Sequence, residues 1–309
     1  MFLAIALALP RLFWEGAPDT APALREAGIR HIAVAGAQTA AWKGVTGIDA
    51  EAADLRDAVK LLAPAVRYRY DQASASRAPW IDSNGWRFLR APQGRFYYET
   101  AGGQSALAAA EAFAWGANAL IKTDAAGLKP LAEMLEFVRG IESADMQPVA
   151  DFGFIDDGTP IAGEVMNLLA RENLLFRVVR APDPKLKPTV RLGTTQYPVE
   201  QAKNPAAMAQ IVRADLGDDN RSIRIYGTAV VVGRLTAANG RLRVHLINYD
   251  AAGRKVAGMR VRVRGEYSKH KLAAAGSPEM ALLDYSAASG ATEFTLPELK
   301  SYAVIDLFR

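Results

Sequence analysis

The feature that most constrains this chain is a change of hydrophobic period. Up to about Val179, short apolar runs alternate with helical patterns, whereas from about Ile223 to Leu307 strand-like runs follow one another with only turns between. Strands separated by helices pair in parallel through right-handed crossovers, and strands joined by turns pair antiparallel. An α/β body followed by an all-β module is the expected plan. A chain of 309 residues, half of them hydrophobic, is long enough to divide into two domains, because single cores become uncommon near ~250–300 residues.

The opening unit reads as strand, helix, strand: Arg11 to Glu15, Thr20 to Ala27 stopped by Gly28, and Ile29 to Ala35. Asp49 is expected to cap a helix carrying Leu55, Val59 and Leu62 on one face, with a strand from Ala65 to Tyr70 after it. Between Asp71 and Gly94 the period breaks at Ser74, Ser76, Pro79, Asn84 and Gly85, in a stretch that holds Trp80 and Trp86. Arg95 to Glu99 and Ala119 to Asp124 read as strands around an alanine-rich helix, Gln104 to Trp115. Leu128, Leu131, Leu135 and Val138 mark the next helix, and Pro148 to Ile155 the next strand. Thr159 followed by Pro160 is a helix start, leading to a strand over Leu174 to Val179.

Prolines, lysines and acids dominate from Arg180 to Asn220. The expected division is therefore an α/β domain over 11–180, a linker with one short helix over 181–220, and a β-sandwich over 221–309. In the last part Arg241 to Leu246 and Met259 to Arg264 alternate polar and apolar, the pattern of strands with one face in a core and one in water. Asn239-Gly240 is a tight-turn pair ahead of the first.

The net charge of +4 is mild and scattered, so nucleic acid is not implied. With no cysteine, disulfides, thiolate metal sites and a Cys nucleophile are excluded. His31, His245 and His270 are dispersed, and the P-loop, the Rossmann glycine fingerprint, Gly-x-Ser-x-Gly and His-Glu-x-x-His are all missing. Neither a metal nor a cofactor is expected. Phe2 to Leu9 resembles the apolar core of a signal peptide and is too short to span a bilayer. Residues 1–10 thus read as the remnant of a signal, with a secreted or periplasmic, bacterial-type protein as the expectation; a buried first strand or helix is the alternative. Asn220-Arg-Ser222 matches the glycosylation sequon, which matters only in a eukaryotic secretory host.

The residues His245-Leu-Ile-Asn-Tyr249, Met259 to Val263, Thr292 to Leu299 and Tyr302 to Leu307 together resemble the C-terminal β-domain that closes many retaining glycoside hydrolases with a barrel core. Gly163 to Asn173 and the strand after it resemble the amidotransferase-like module of beta-galactosidase-type enzymes, without a Cys to supply amidotransferase chemistry. A full (β/α)8 barrel takes ~250 residues, more than the α/β part offers. The resemblance implies either a reduced TIM-barrel-like body or an open flavodoxin-like sheet. It also implies a carbohydrate ligand; no membrane span is expected from the short apolar start, and self-association into a homo-oligomer stays open.

Glycoside hydrolysis needs two carboxylates flanking one bond, one to protonate the leaving oxygen and one to attack or to activate water. Acids converge at the C-terminal ends of strands in such folds. Glu99, which ends the aromatic run Phe96-Tyr97-Tyr98, is the first candidate, with Asp124, Asp156 and Glu15 as partners and Asp151 and Asp157 behind them. Each has a structural alternative, as a helix cap or the partner of an Arg. Trp80, Trp86, Trp14 and Tyr98 are the aromatic groups placed to stack on a sugar, Trp14 having a core position as its alternative. Arg260, Arg262 and Arg264 on one strand face read as a solvated edge.

Overall fold

A computed structural model describes residues 9–68, 79–142, 146–250 and 252–309. The expected leader lies outside the described residues except for Leu9 and Pro10, as do Arg69 and Tyr70 at the end of the strand expected from Ala65, and residues 71–78 of the irregular stretch, with Ser74 and Ser76. No helix among the described residues is long and apolar enough to cross a membrane.

The chain opens with β1 (Arg11–Phe13), α1 (Ala21–Glu26), β2 (His31–Ala35), α2 (Thr39–Trp42), β3 (Asp49–Ala53) and β4 (Val59–Leu61). It continues through β5 (Ala65–Arg67), β6 (Trp80–Asp82), α3 (Gly85–Arg90), β7 (Arg95–Glu99), α4 (Gln104–Trp115), β8 (Asn118–Lys122) and α5 (Ala125–Arg139). Six of these strands form one parallel sheet in the order β3-β2-β1-β8-β7-β4.

The helix expected after Asp49 is absent, and the segment is β3, a turn and β4. Pairing of β3 along β2, from His31 opposite Asp49 to Ala35 opposite Ala53, decides this. Three apolar residues at helical spacing are a weak signal, and a five-residue ladder on a buried neighbour outweighs it. Val59 and Leu62, read as inward-facing, are exposed.

The six-stranded sheet is strongly curled. Arg95 opens β7 and Asp54 follows β3, four strands away, a separation near ~20 Å in a flat sheet with strands ~4.8 Å apart. Yet Arg95 Nη2 donates to the Asp54 carbonyl. Edge strands β3 and β4, consecutive in the chain, are thereby turned toward each other.

Alternation along each strand separates two faces. On the outer face Leu12, Ile32, Val34, Phe96, Tyr98, Ala119 and Ile121 are buried in the core that includes α4 and α5. The inner face carries Phe13, Ala33, Leu120 and Tyr97 as a small apolar cluster. Charged side chains surround that cluster, including an Arg11–Glu51 ion pair.

Next come β9 (Gln147–Pro148), β10 (Phe152–Ile155), α6 (Pro160–Arg171), β11 (Phe176–Val179), β12 (Thr189–Arg191), α7 (Val199–Ala202) and α8 (Pro205–Leu216). Thr159 caps α6 as its sequence predicts, accepting from Ala162 N at 3.2 Å ahead of Pro160. A second parallel sheet has the order β11-β10-β12. The stretch read as a linker thus supplies β12 to this sheet, and α8 packs on α6.

The remaining elements are strands: β13 (Ile223–Tyr226), β14 (Val231–Ala238), β15 (Arg241–Asn248), β16 (Val256–Arg264), β17 (Lys269–Ala274), β18 (Leu283–Ala288), β19 (Ala291–Leu299) and β20 (Tyr302–Phe308). They form two antiparallel sheets, β13-β16-β19-β18 and β17-β20-β15-β14-β9, around a shared core. Asn239 (φ 42°) and Gly240 (φ 77°) make the tight turn between β14 and β15 that their sequence predicts. Arg260 and Arg262 pair with Glu293 on the wet side of the first sheet.

The second sheet corrects the expectation that the polar face of Arg241 to Leu246 meets water. Arg243 is 1% exposed and His245 3% exposed, because that face packs on the α/β body. Phe113 of α4 and Phe137 of α5 meet the Tyr302 ring edge-on, and Val232, Ile247 and Val304 join the α/β core. Arg243 is neutralised there by Asp306, with donor to acceptor distances of 2.7 and 3.1 Å.

Candidate functional site

Of the four predicted acids, the fold brings two together. Glu15 follows β1 and Glu99 ends β7, on either side of β8 in the sheet, and Lys122 ends β8 between them. Lys122 Nζ lies 2.8 Å from Glu15 Oε1 and 3.6 Å from Glu99 Oε1. The other oxygen of Glu99 pairs with Lys60 of β4. Strand parity explains the grouping, since Glu99 shares the inner face with Tyr97, as Lys122 does with Leu120.

The hydrogen bond from Lys60, helped by the charges of Lys60 and Lys122, holds the Glu99 carboxyl below its ordinary range. For Lys122, partial burial opposes the charged form, but the hydrogen bond it donates to Glu15 and the attraction of both acids win, and its pKa rises. The cluster is a Glu–Lys–Glu–Lys network of ion pairs open to solvent. A cavity of about 750 Å³ adjoins it at Glu15, bounded by Phe13, Ala35, Gln38 and Leu55 and by Arg56 and Arg95.

The other two acids are occupied elsewhere. Asp124 caps α5, accepting from Gly127 N at 2.9 Å and from Gly102 N at 3.1 Å. Asp156 forms a two-pronged pair with Arg90, both contacts 2.8 Å, and also accepts from Gly158 N. Asp157 accepts from the Thr159 amide and hydroxyl, which lower its pKa. Asp151 is buried and receives the Ser222 amide and hydroxyl.

None of the four aromatic candidates offers a bare face to that network. Tyr98 is fully buried and donates to Glu111 at 2.7 Å. Trp14 is half-buried, its indole N–H on Thr20 Oγ1. The Arg171 guanidinium lies 4.0 Å from the centre of the Trp80 ring. Trp86 lies between Arg87 and Arg90 and is pressed so closely on α6 that a Cβ on Gly163 would come within 2.9 Å of it.

Sequence reading missed Lys60 and Lys122, the cations that define the cluster. Parity alone puts Lys122 on the face of Leu120, two residues before it, but that the neighbouring strand ends at Glu99 is a matter of sheet order. It also missed Glu111, buried in the alanine-rich α4. Glu111 accepts from Asn84 N and Nδ2, Tyr98 and Tyr249, at 2.7 to 3.0 Å. Burial raises its pKa against those four donors. No group of three or more potential metal ligands occurs among the described residues.

A parallel sheet with helices on one face, followed by packed antiparallel sheets, is a fold resembling those of glycoside hydrolases. Among solved structures, Alpha-L-fucosidase isoenzyme 2 from Paenibacillus thiaminolyticus superposes with a TM-score of 0.55 at 11% identity, over 88% of this chain and 70% of that one. At that identity the likeness is one of fold alone. The apo exo-carrageenase GH42 from Bacteroides ovatus gives a TM-score of 0.34 at 10% identity, over 84% of this chain and 48% of that one, too low to carry an argument. No family model and no curated protein matches the chain.

Proposed function

We propose that this chain binds a carbohydrate without cleaving it, on a glycoside-hydrolase plan reduced to a six-stranded barrel and a C-terminal β-sandwich. The observation that carries the reading is the sharing of Lys122 by Glu15 and Glu99, with Lys60 on the far oxygen of Glu99. A glycosidase acid must hold its proton at working pH, which requires a carboxyl whose pKa is raised. Glu99 is shifted the other way, which sets it against the proton-donor role and leaves it only the ionised role of such a pair. Fixed carboxylates beside ammonium groups instead offer the alternating acceptors and donors that sugar hydroxyls match.

The placement of Glu15 and Glu99 at strand ends flanking β8 favours a second reading, hydrolysis by this pair. One experiment separates the two. Wild-type protein and the Glu99→Gln variant are screened with aryl glycosides, and oligosaccharide binding is measured by calorimetry. Binding without turnover, weakened tenfold or more in Glu99→Gln, supports the first reading. Turnover that Glu99→Gln abolishes replaces it with the second, and the absence of both overturns the two together.

A further inference from the structure

A second cavity, of about 500 Å³, lies between the parallel sheet and the β half. Its walls include Gln93 ahead of β7, Gly116 and Ala117 ahead of β8, and Ala150 ahead of β10, so it opens at the N-terminal ends of the strands. The acid cluster is at the opposite ends, and no residue named in it lines this cavity.

Arg234 of β14 projects into this space. It is 6% exposed, its Nε has no hydrogen-bond partner, and it forms no ion pair among the described residues. The guanidinium lies 4.4 Å from the centre of the Trp115 ring. Stacking on a ring face leaves the edge donors of a guanidinium free, and they match a carboxylate in two-pronged fashion. None of the described lining residues is acidic. The other buried cation in the wall, Arg243, is already neutralised by Asp306. His245 contacts Tyr302 at 2.6 Å and Thr236 at 3.4 Å, and burial keeps it neutral.

We infer that this cavity binds a small organic carboxylate, with Arg234 on its charged head and Phe88, Phe96, Trp115 and Phe176 around its apolar body. The volume suits a ligand of that size, and the wall is largely apolar, with Arg234 as its buried cation lacking an acid, beside Arg243, which Asp306 neutralises, and the exposed Arg177, which donates to the Pro148 carbonyl. A buried cation without a counter-charge is unfavourable, and a bound anion supplies that charge. The inference is independent of the proposed carbohydrate site.

Phenylacetate is the probe, with phenylacetamide as its uncharged counterpart and inorganic sulfate as a charge without a body. Calorimetry and tryptophan fluorescence follow binding to the full chain, and thermal unfolding follows stabilisation. The expected result is saturable binding of phenylacetate, at least tenfold weaker binding of phenylacetamide and of sulfate, and loss of phenylacetate binding in Arg234→Met. Equal binding of acid and amide, or binding retained in Arg234→Met, overturns the role of the charge. Sulfate binding as tightly as phenylacetate overturns the apolar subsite. The acid and amide comparison uses wild-type protein, so it decides the matter even if the variant fails to fold.

Discussion

At the two ends of the parallel strands the chain treats charge in opposite ways. Glu15, Glu99, Lys60 and Lys122 are paired with one another at the open end, where water already screens them. At the other end Arg243 has Asp306, while Arg234, in the same cavity wall, has an indole face and no acid. Exposed pairs of this kind contribute ~0–1 kcal/mol and can exchange partners with a ligand at little cost. Buried charges bear on folding itself, and an uncompensated one points to something that binds.

The contrast can be tested through pH first. Burial, with Arg243 and Arg234 nearby, depresses the His245 pKa to about 3 from an ordinary 6.5. Below pH 6.5 the unfolded chain takes up a proton that the folded chain refuses until about pH 3. Stability should therefore fall as pH drops through that window, by about 5 kcal/mol in all, at about 1.4 kcal/mol per pKa unit. Urea unfolding of wild type and His245→Gln across the range measures it, and parallel curves would show that His245 is not the group responsible.

Asp306→Asn leaves Arg243 buried beside a neutral group and should cost about 3 kcal/mol by the same method. Arg234→Met has the opposite expected sign, a gain of about 1–2 kcal/mol without ligand, because no partner is lost with the charge. A loss as large as that of Asp306→Asn would break the distinction between the two arginines. Gly240→Ala, at a φ of 77°, should cost about 1 kcal/mol. Lys122→Met should change stability least, by under about 1 kcal/mol, yet raise the Glu99 pKa in an NMR titration. An unmoved Glu99 would mean that Lys60 alone holds it.

Where local chemistry decides, the structure could be read in advance. Thr159-Pro160 starts α6 and Asn239-Gly240 turns β14 into β15, each because a side-chain cap or a positive φ is specified within a few residues. The segment from Asp49 to Leu61 could not, because its alanines and Glu51 favour helix and the ladder along β2 overrides them from outside. The same holds for the polar face of β15, which looks solvated until the α/β body covers it. Glu15 and Glu99 were legible as strand-end acids. Their lysines were not, since pairing across strands depends on a sheet order, β1-β8-β7-β4, that no single segment contains. Arg234 leaves one trace, a lone cation in the apolar run Val231 to Leu235.

Glu111 also has a consequence for how the protein is made. Its carboxylate is surrounded by Asn84, Tyr98 and Tyr249, and the last of these is synthesised 138 residues after it. While the chain is still emerging from the ribosome, helix α4 carries a buried acid short of one of its donors. The first half is then expected to stay loosely packed until the second arrives. Closure of the core around Glu111 thus waits on the synthesis of Tyr249, just beyond β15.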